Sequence, residues 1–143
     1  MSEPLYTRDI LRLASEIPHL GLLAEPHGSA DLRSPACGSR VEVTVCIDDA
    51  GRVIDLGQSV SACAFGQASA ALMGATAIGR SHDDVEGTLA ELTDWLSGAT
   101  DHPGSWPGLS ALAPARGKTG RHGAILLPFR ALLAAIEDAI ARR

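Results

Sequence analysis

Two cysteines bracket a run of alternating apolar residues, and that arrangement limits what this chain can fold into. Cys37-Gly38-Ser39 stands at the entry and Ala62-Cys63-Ala64-Phe65 at the exit. Between them Val41, Val43, Val45 and Ile47 alternate with Glu42, Thr44 and Cys46, the period-two pattern of a half-buried strand. Asp48-Asp49-Ala50-Gly51 reads as a turn, with Gly51 free to take positive φ. A second strand follows, about Val53 to Ala62, with Ile54, Leu56, Val60 and Ala62 as its expected inward set. The bracketed stretch is therefore a β-hairpin that leaves one thiol and returns to another.

After Cys63 the pattern changes. Residues 64–78 are dense in alanine, a composition that lets a helix lie very close to a sheet, and Gly79 is placed to end it. Upstream, Thr7 is a candidate N-cap for an amphipathic helix over 7–17, which Pro18 stops. Residues 18–36 read as a long loop that adds a third strand near Leu32. Downstream, Ser81-His82-Asp83-Asp84 has the form of a capping box opening a helix over 82–97, with Gly98 at its end. Residues 99–121, rich in Pro and Gly, read as loop with a turn of helix near Leu109 to Leu112. Leu126, Phe129, Leu133, Ile136 and Ile140 recur at helical spacing, and Pro128 should sit in the first turn of that last helix or kink it. Early strands and late helices give an α+β class: an N-terminal helix, a small antiparallel sheet of two to three strands, then three or more helices packed on it. At 143 residues the chain is expected to form one domain, 1–143.

Composition excludes several roles. A formal charge of −5 disfavours a nucleic-acid backbone as partner. No apolar run reaches the 18 or so residues of a membrane span, and Met1 to Tyr6 lack the pattern of a signal peptide, so a cytoplasmic protein is expected. Three cysteines in a reducing compartment argue against disulfide stapling, and no Cys-x-x-Cys pair supports a closed zinc finger.

Chemistry therefore rests on single residues. Cys63 falls where a strand gives way to a helix, and free amides and the helix dipole there favour thiolate, the form that binds metal or attacks sulfur. Cys37 lies in a Pro-Ala-Cys-Gly loop that the hairpin can carry to Cys63. Cys46, in mid-strand on the face opposite the valines, reads as structural, pointing at whatever covers that face. His122 precedes the last helix and becomes a ligand only if the fold brings it to the thiols; His19, His27, His82 and His102 are scattered without helical pairing. No phosphate loop, nucleophile elbow or metalloprotease pattern occurs, and no enzymatic activity is expected.

The stretch Ala36-Cys37-Gly38-Ser39, the alternating hairpin with its Asp-Asp-x-Gly turn, and Cys63 leading into a small-residue helix together resemble the IscU/SufU/NifU N-terminal family of iron–sulfur cluster assembly scaffolds. The resemblance runs over about residues 5 to 142. The long loop before the last helix is closer to the SufU branch. It implies that Cys37 and Cys63 are cluster or metal ligands, with His122 beside the third ligand position. It also implies an iron–sulfur cluster or iron as cargo, with zinc as another metal for the site. The implied partners are a cysteine desulfurase and cluster-accepting apoproteins. The chain departs from the family pattern at three places: Ser39 replaces Asp, Ala62 replaces Gly, and Gly123 replaces the third Cys. Leu112-Ala113-Pro114-Ala115-Arg116 is only distantly similar to the segment through which IscU-type scaffolds are bound by their chaperone.

A cluster or a structural zinc takes four ligands, and this chain offers two thiols and His122. Two chains can supply two thiols each as a homodimer. Three functions follow: a scaffold holding iron or a cluster transiently, a zinc-bound sulfur acceptor or sulfurtransferase partner of a desulfurase, and a metal-free interaction module that kept only the fold.

Overall fold

The computed structural model describes residues 6–35 and 38–143. In chain order these form α1 (Arg8–Ser15), β1 (Gly28–Arg33), β2 (Arg40–Ile47), β3 (Val53–Ser61), α2 (Ala64–Thr76), α3 (His82–Leu96) and α4 (His122–Ala141). Two short 3-10 stretches, Leu109–Ala115 and Thr119–Arg121, lie before α4. The α+β class and the order of helix, small antiparallel sheet and helices agree with the sequence expectation.

Helix starts follow their local chemistry. The Thr7 hydroxyl accepts from the Ile10 amide at 3.2 Å and opens α1. Ser81 and Asp84 form a reciprocal capping box: the Ser81 hydroxyl accepts from the Asp84 amide, and the Asp84 carboxylate accepts from the Ser81 amide at 3.0 Å. Those bonds also hold the Asp84 carboxyl below its ordinary pKa, the Ser81 amide contributing most. Pro128 is the seventh residue of α4 rather than part of its first turn, because the helix starts early, at His122.

The strands are ordered β1-β2-β3, all antiparallel. Val41, Val43 and Val45 are fully buried on one face, against which α4 packs. There is no room in that contact at Gly28, where a Cβ would overlap the Ala135 carbonyl and the Ala139 backbone of α4. The expected inward set of β3 is corrected at Ile54, which is 54% exposed. Cys46 pairs with Asp55 but Ile47 pairs with Val53, so Ile54 is the extra residue of a bulge, and the alternation shifts there to bury Val53. Gln58 is the other departure. It is fully buried, and its side-chain amide donates to the carbonyls of Pro18 at 3.0 Å and Ala70 at 3.2 Å, tying β3 to α2 and to the turn that follows α1.

Residues 18–27 wrap the sheet. The Gln58 amide donates to the His19 carbonyl and the Gly21 amide to the Gln58 carbonyl, both at 2.9 Å, so the outer edge of β3 is covered. The segment then crosses the second face, where the Leu23 amide donates to the Thr44 hydroxyl at 3.0 Å. At the opposite edge the Ser29 amide of β1 donates to the Asp138 carboxylate of α4 at 2.9 Å. The segment before α4 returns to the core through Trp106, whose indole N–H donates to the Leu72 carbonyl of α2 at 2.9 Å.

Candidate thiol site

The site lies at the end of the sheet where β2 begins and β3 stops. The last β2–β3 pair is Arg40 with Ser61, so Gly38-Ser39 and Ala62-Cys63 leave the ladder side by side. The last β1–β2 pair is Arg33 with Arg40, and the Ser34 amide continues it by donating to the Ser39 carbonyl at 2.8 Å. The Gly38 amide donates back to the Ser34 carbonyl at 2.9 Å, which closes the 34–39 loop on itself. Gly38 has φ of +70°, so the turn after Cys37 requires glycine. Cys37 itself, with Ala36, lies outside the described residues. Ser39, at the position of the family's Asp, is 3% exposed.

Cys63 is the N-cap of α2. Its backbone is extended, its side chain makes no capping bond, and its carbonyl accepts from the Gln67 amide at 2.9 Å as the helix begins. It is half-buried and packs against the edge of the core. One turn on, Gly66 lets α4 approach: a Cβ there would meet Ala62 and, at 3.3 Å, the Ala124 Cβ. The Ser69 hydroxyl donates to the Ile125 carbonyl at 2.5 Å, a second tie between the two helices. Residue 123 meets the 34–39 loop instead, since a Cβ on Gly123 would lie 2.7 Å from the Ser34 Oγ. Three segments thus converge: the loop that carries Cys37, the start of α2 with Cys63, and the first turn of α4.

His122 is half-buried in that first turn, and its Nε2 donates to the carbonyls of Arg116 at 2.9 Å and Ala115 at 3.1 Å. A neutral ring bound this way keeps only Nδ1 for a metal. Cys46 has the structural place expected of it, half-buried with its thiol directed at the Glu25 carbonyl at 3.7 Å. Its face is covered by the 18–27 segment and not by a helix. Three of the other histidines make ring hydrogen bonds away from Cys63. His27 Nδ1 accepts from the Ile47 amide at 2.9 Å, and His102 Nδ1 from the Gly104 amide at 3.1 Å. His82 lies between Glu137 (3.1 Å) and Asp83 (3.3 Å), and these carboxylates raise its pKa, Glu137 contributing most. Among the described residues, the one set of three His, Cys, Asp or Glu donors within 4.8 Å of one another is His82, Asp83 and Glu86, far along the chain from Cys63. Sequence reasoning missed Ser34, because its relation to Gly123 leaves no local pattern.

A three-stranded meander backed by a long helix, with a thiol opening the helix after the last strand, defines a small α+β class of protein. The model of the NifU-like N-terminal domain matches residues 5–109, and the chain belongs to that family. The N-terminal part of a nitrogen-fixing NifU-like protein from Brucella abortus is 31% identical, with a TM-score of 0.90 over 97% of this chain and 96% of that one. That likeness extends past residue 109 to the last helix. A putative iron–sulfur cluster assembly scaffold protein for the SUF system from Fervidobacterium islandicum AW-1 shares the fold, at 18% identity and a TM-score of 0.83 over 92% of this chain and 96% of that one. No curated protein matches the chain.

Proposed function

We propose that this chain, as a single domain over 1–143, is a non-enzymatic iron–sulfur cluster assembly scaffold. Its cargo is iron or a cluster, held transiently by the thiolates of Cys63 and Cys37. The observation that carries this reading is the place of Cys63: half-buried at the start of α2, beside the closed 34–39 loop and the first turn of α4. Family membership supports it, as does the shared fold with a putative SUF scaffold. A site with few protein donors suits a cargo that must leave. His122 can add Nδ1 while its Nε2 remains bound to the Arg116 and Ala115 carbonyls.

Sulfur would come from a cysteine desulfurase and the cluster would pass to apoproteins, in a cytoplasm that keeps both thiols reduced. None of the described helices is long and apolar enough to cross a membrane. The test is iron and sulfide analysis of protein purified without oxygen. Wild type should carry both, and Cys63→Ser should lose about tenfold in iron while remaining folded. Full iron content in Cys63→Ser would overturn the reading. A gain of about 32 in mass on Cys63 without iron would instead mark a sulfur acceptor, since sulfur supplied by a desulfurase would then rest on the thiol.

A further inference from the structure

Charge is unevenly spread along this chain. Residues 81–101 hold six Asp or Glu and no Lys or Arg, whereas 102–136 hold Arg116, Lys118, Arg121 and Arg130 and no acid. Arg116 has a use within the fold: its guanidinium lies 5.1 Å over the Trp95 ring and its Nε donates to the Trp95 carbonyl at 3.0 Å. Lys118 and Arg121 have no ion pair with a carboxylate among the described residues.

The fold gathers these cations at one aromatic. Arg121 Nη2 lies 3.5 Å from the Tyr6 hydroxyl. Lys118 is one 3-10 turn away, its carbonyl accepting from the Arg121 amide at 2.8 Å. Arg8 opens α1 two residues beyond Tyr6, a length of chain that spans no more than about 7 Å. It is exposed and, among the described residues, also has no ion pair. Arg12, a turn further along α1, is by contrast paired with Asp9 at 3.6 Å. Tyr6 is 43% exposed, and Leu11, on the same face of α1 as Arg8, is 53% exposed. The Tyr6 ring packs on Phe65 with centroids 5.5 Å apart, so the patch borders the first turn of α2. Two exposed apolar side chains are thus framed by three unpaired cations, which repel one another until an opposite charge meets them. Tyrosine and arginine are also the residue types that carry much of the binding energy at protein interfaces.

We propose that the surface of Tyr6, Arg8, Leu11, Lys118 and Arg121 is a docking site for an acidic face of a partner protein. Charge complementarity sets the partner's chemistry: its carboxylates meet the three cations, and an apolar side chain meets Tyr6 and Leu11. Such complementarity raises the rate of encounter and fixes the register of the complex. A nucleic acid is the poorer occupant, because the chain as a whole carries a formal charge of −5. The inference requires no metal and does not depend on the thiol of Cys63.

The test uses the full chain and, as probe, a fluorescent peptide of Glu-Glu-Leu repeats, with a Gln-Gln-Leu counterpart as control. The acidic peptide should bind more tightly than the neutral one and lose affinity as salt rises. Arg8→Gln, Lys118→Gln and Arg121→Gln should each weaken it about threefold, and the triple variant more than about tenfold, as for exposed ion pairs. Arg52→Gln, at the β2–β3 turn, should leave binding unchanged, and thermal unfolding near the wild-type temperature shows that every variant keeps the fold. Lys118 is the only lysine in the sequence, so a carbodiimide that joins carboxylates to amines should couple the peptide there. Unchanged binding in the triple variant, an equal loss in Arg52→Gln, or no coupling at Lys118 overturns the proposal. Tighter binding of an oligothymidine of equal charge would mark a nucleic-acid surface and overturn it too. So would a salt-sensitive dimer of the chain that Arg121→Gln abolishes, since a second copy would then be the occupant.

Discussion

The two ends of α4 are held in opposite ways. Near its C-terminus, Ala135 and Ala139 meet Gly28 of β1 backbone to backbone, and the Asp138 carboxylate accepts the Ser29 amide. Nothing larger than hydrogen fits at Gly28. At its N-terminus, Gly123 meets Ser34 and Ala124 meets Gly66, small residues beside the start of α2 at Cys63. One end anchors the helix to the sheet. The other meets its neighbours through single small residues beside Cys63. The lesson is that the end of α4 beside Cys63 is packed loosely compared with the end that is anchored on the sheet, so stability and the proposed chemistry should respond to different substitutions.

The largest test of that division is Gly28→Ala. Forcing a methyl into the α4 backbone should cost about 3 kcal/mol, read as a lower urea midpoint. Cys63→Ser should do the reverse, changing stability by less than about 1 kcal/mol in the same titration while bound iron falls. A variant at either end that lowered both properties equally would break the comparison.

Two smaller tests sharpen it through pH. The Ser29 amide, and then Arg142, hold the Asp138 carboxyl below its ordinary value. A carboxyl depressed in the folded state stabilises above its unfolded pKa of about 3.9, and that contribution is lost as pH falls through the folded value. Asp138→Asn should therefore show a shallower loss of stability below about pH 4 than wild type. His82 has the opposite sign. Glu137 and Asp83 raise its pKa, so its contribution is complete below about 6.5 and disappears as pH rises through the folded value. His82→Gln should flatten the stability profile as pH rises above about 6.5, the smallest of these effects because the Glu137 and Asp83 carboxylates are largely solvated. Metal content should follow neither titration, since both groups belong to the anchored end.

Features set by neighbours in the chain were legible in the sequence. Thr7, the Ser81–Asp84 box, the Gly51 turn and the alternating valines each act within a few residues. Features set by pairing were legible only in outline: the hairpin and a strand near Leu32 were read, but not their extent or register. Gly28–Arg33 has few β-branched or aromatic residues and becomes a full strand because β2 lies beside it and α4 against it. The Ile54 bulge depends on the register with Cys46 and Ile47, which parity within one strand does not reveal. In the site, the place of Cys63 at a helix start was readable from the change in composition. Ser34 and Gly123 were not, because their contact joins distant parts of the chain. His122 was visible as a residue, but its bonds to Arg116 and Ala115 depend on how the preceding 3-10 stretch folds.

The treatment of the sheet margins has a consequence for how the molecule behaves in a crowd. On one side the backbone of 19–21 already takes the hydrogen bonds that an incoming strand would need, and on the other a carboxylate occupies the Ser29 amide. A neighbouring molecule therefore finds no open β-template at those points on which to zip. At those points collision between copies does not become strand addition, and that protection comes from a wrapped loop and a single acid.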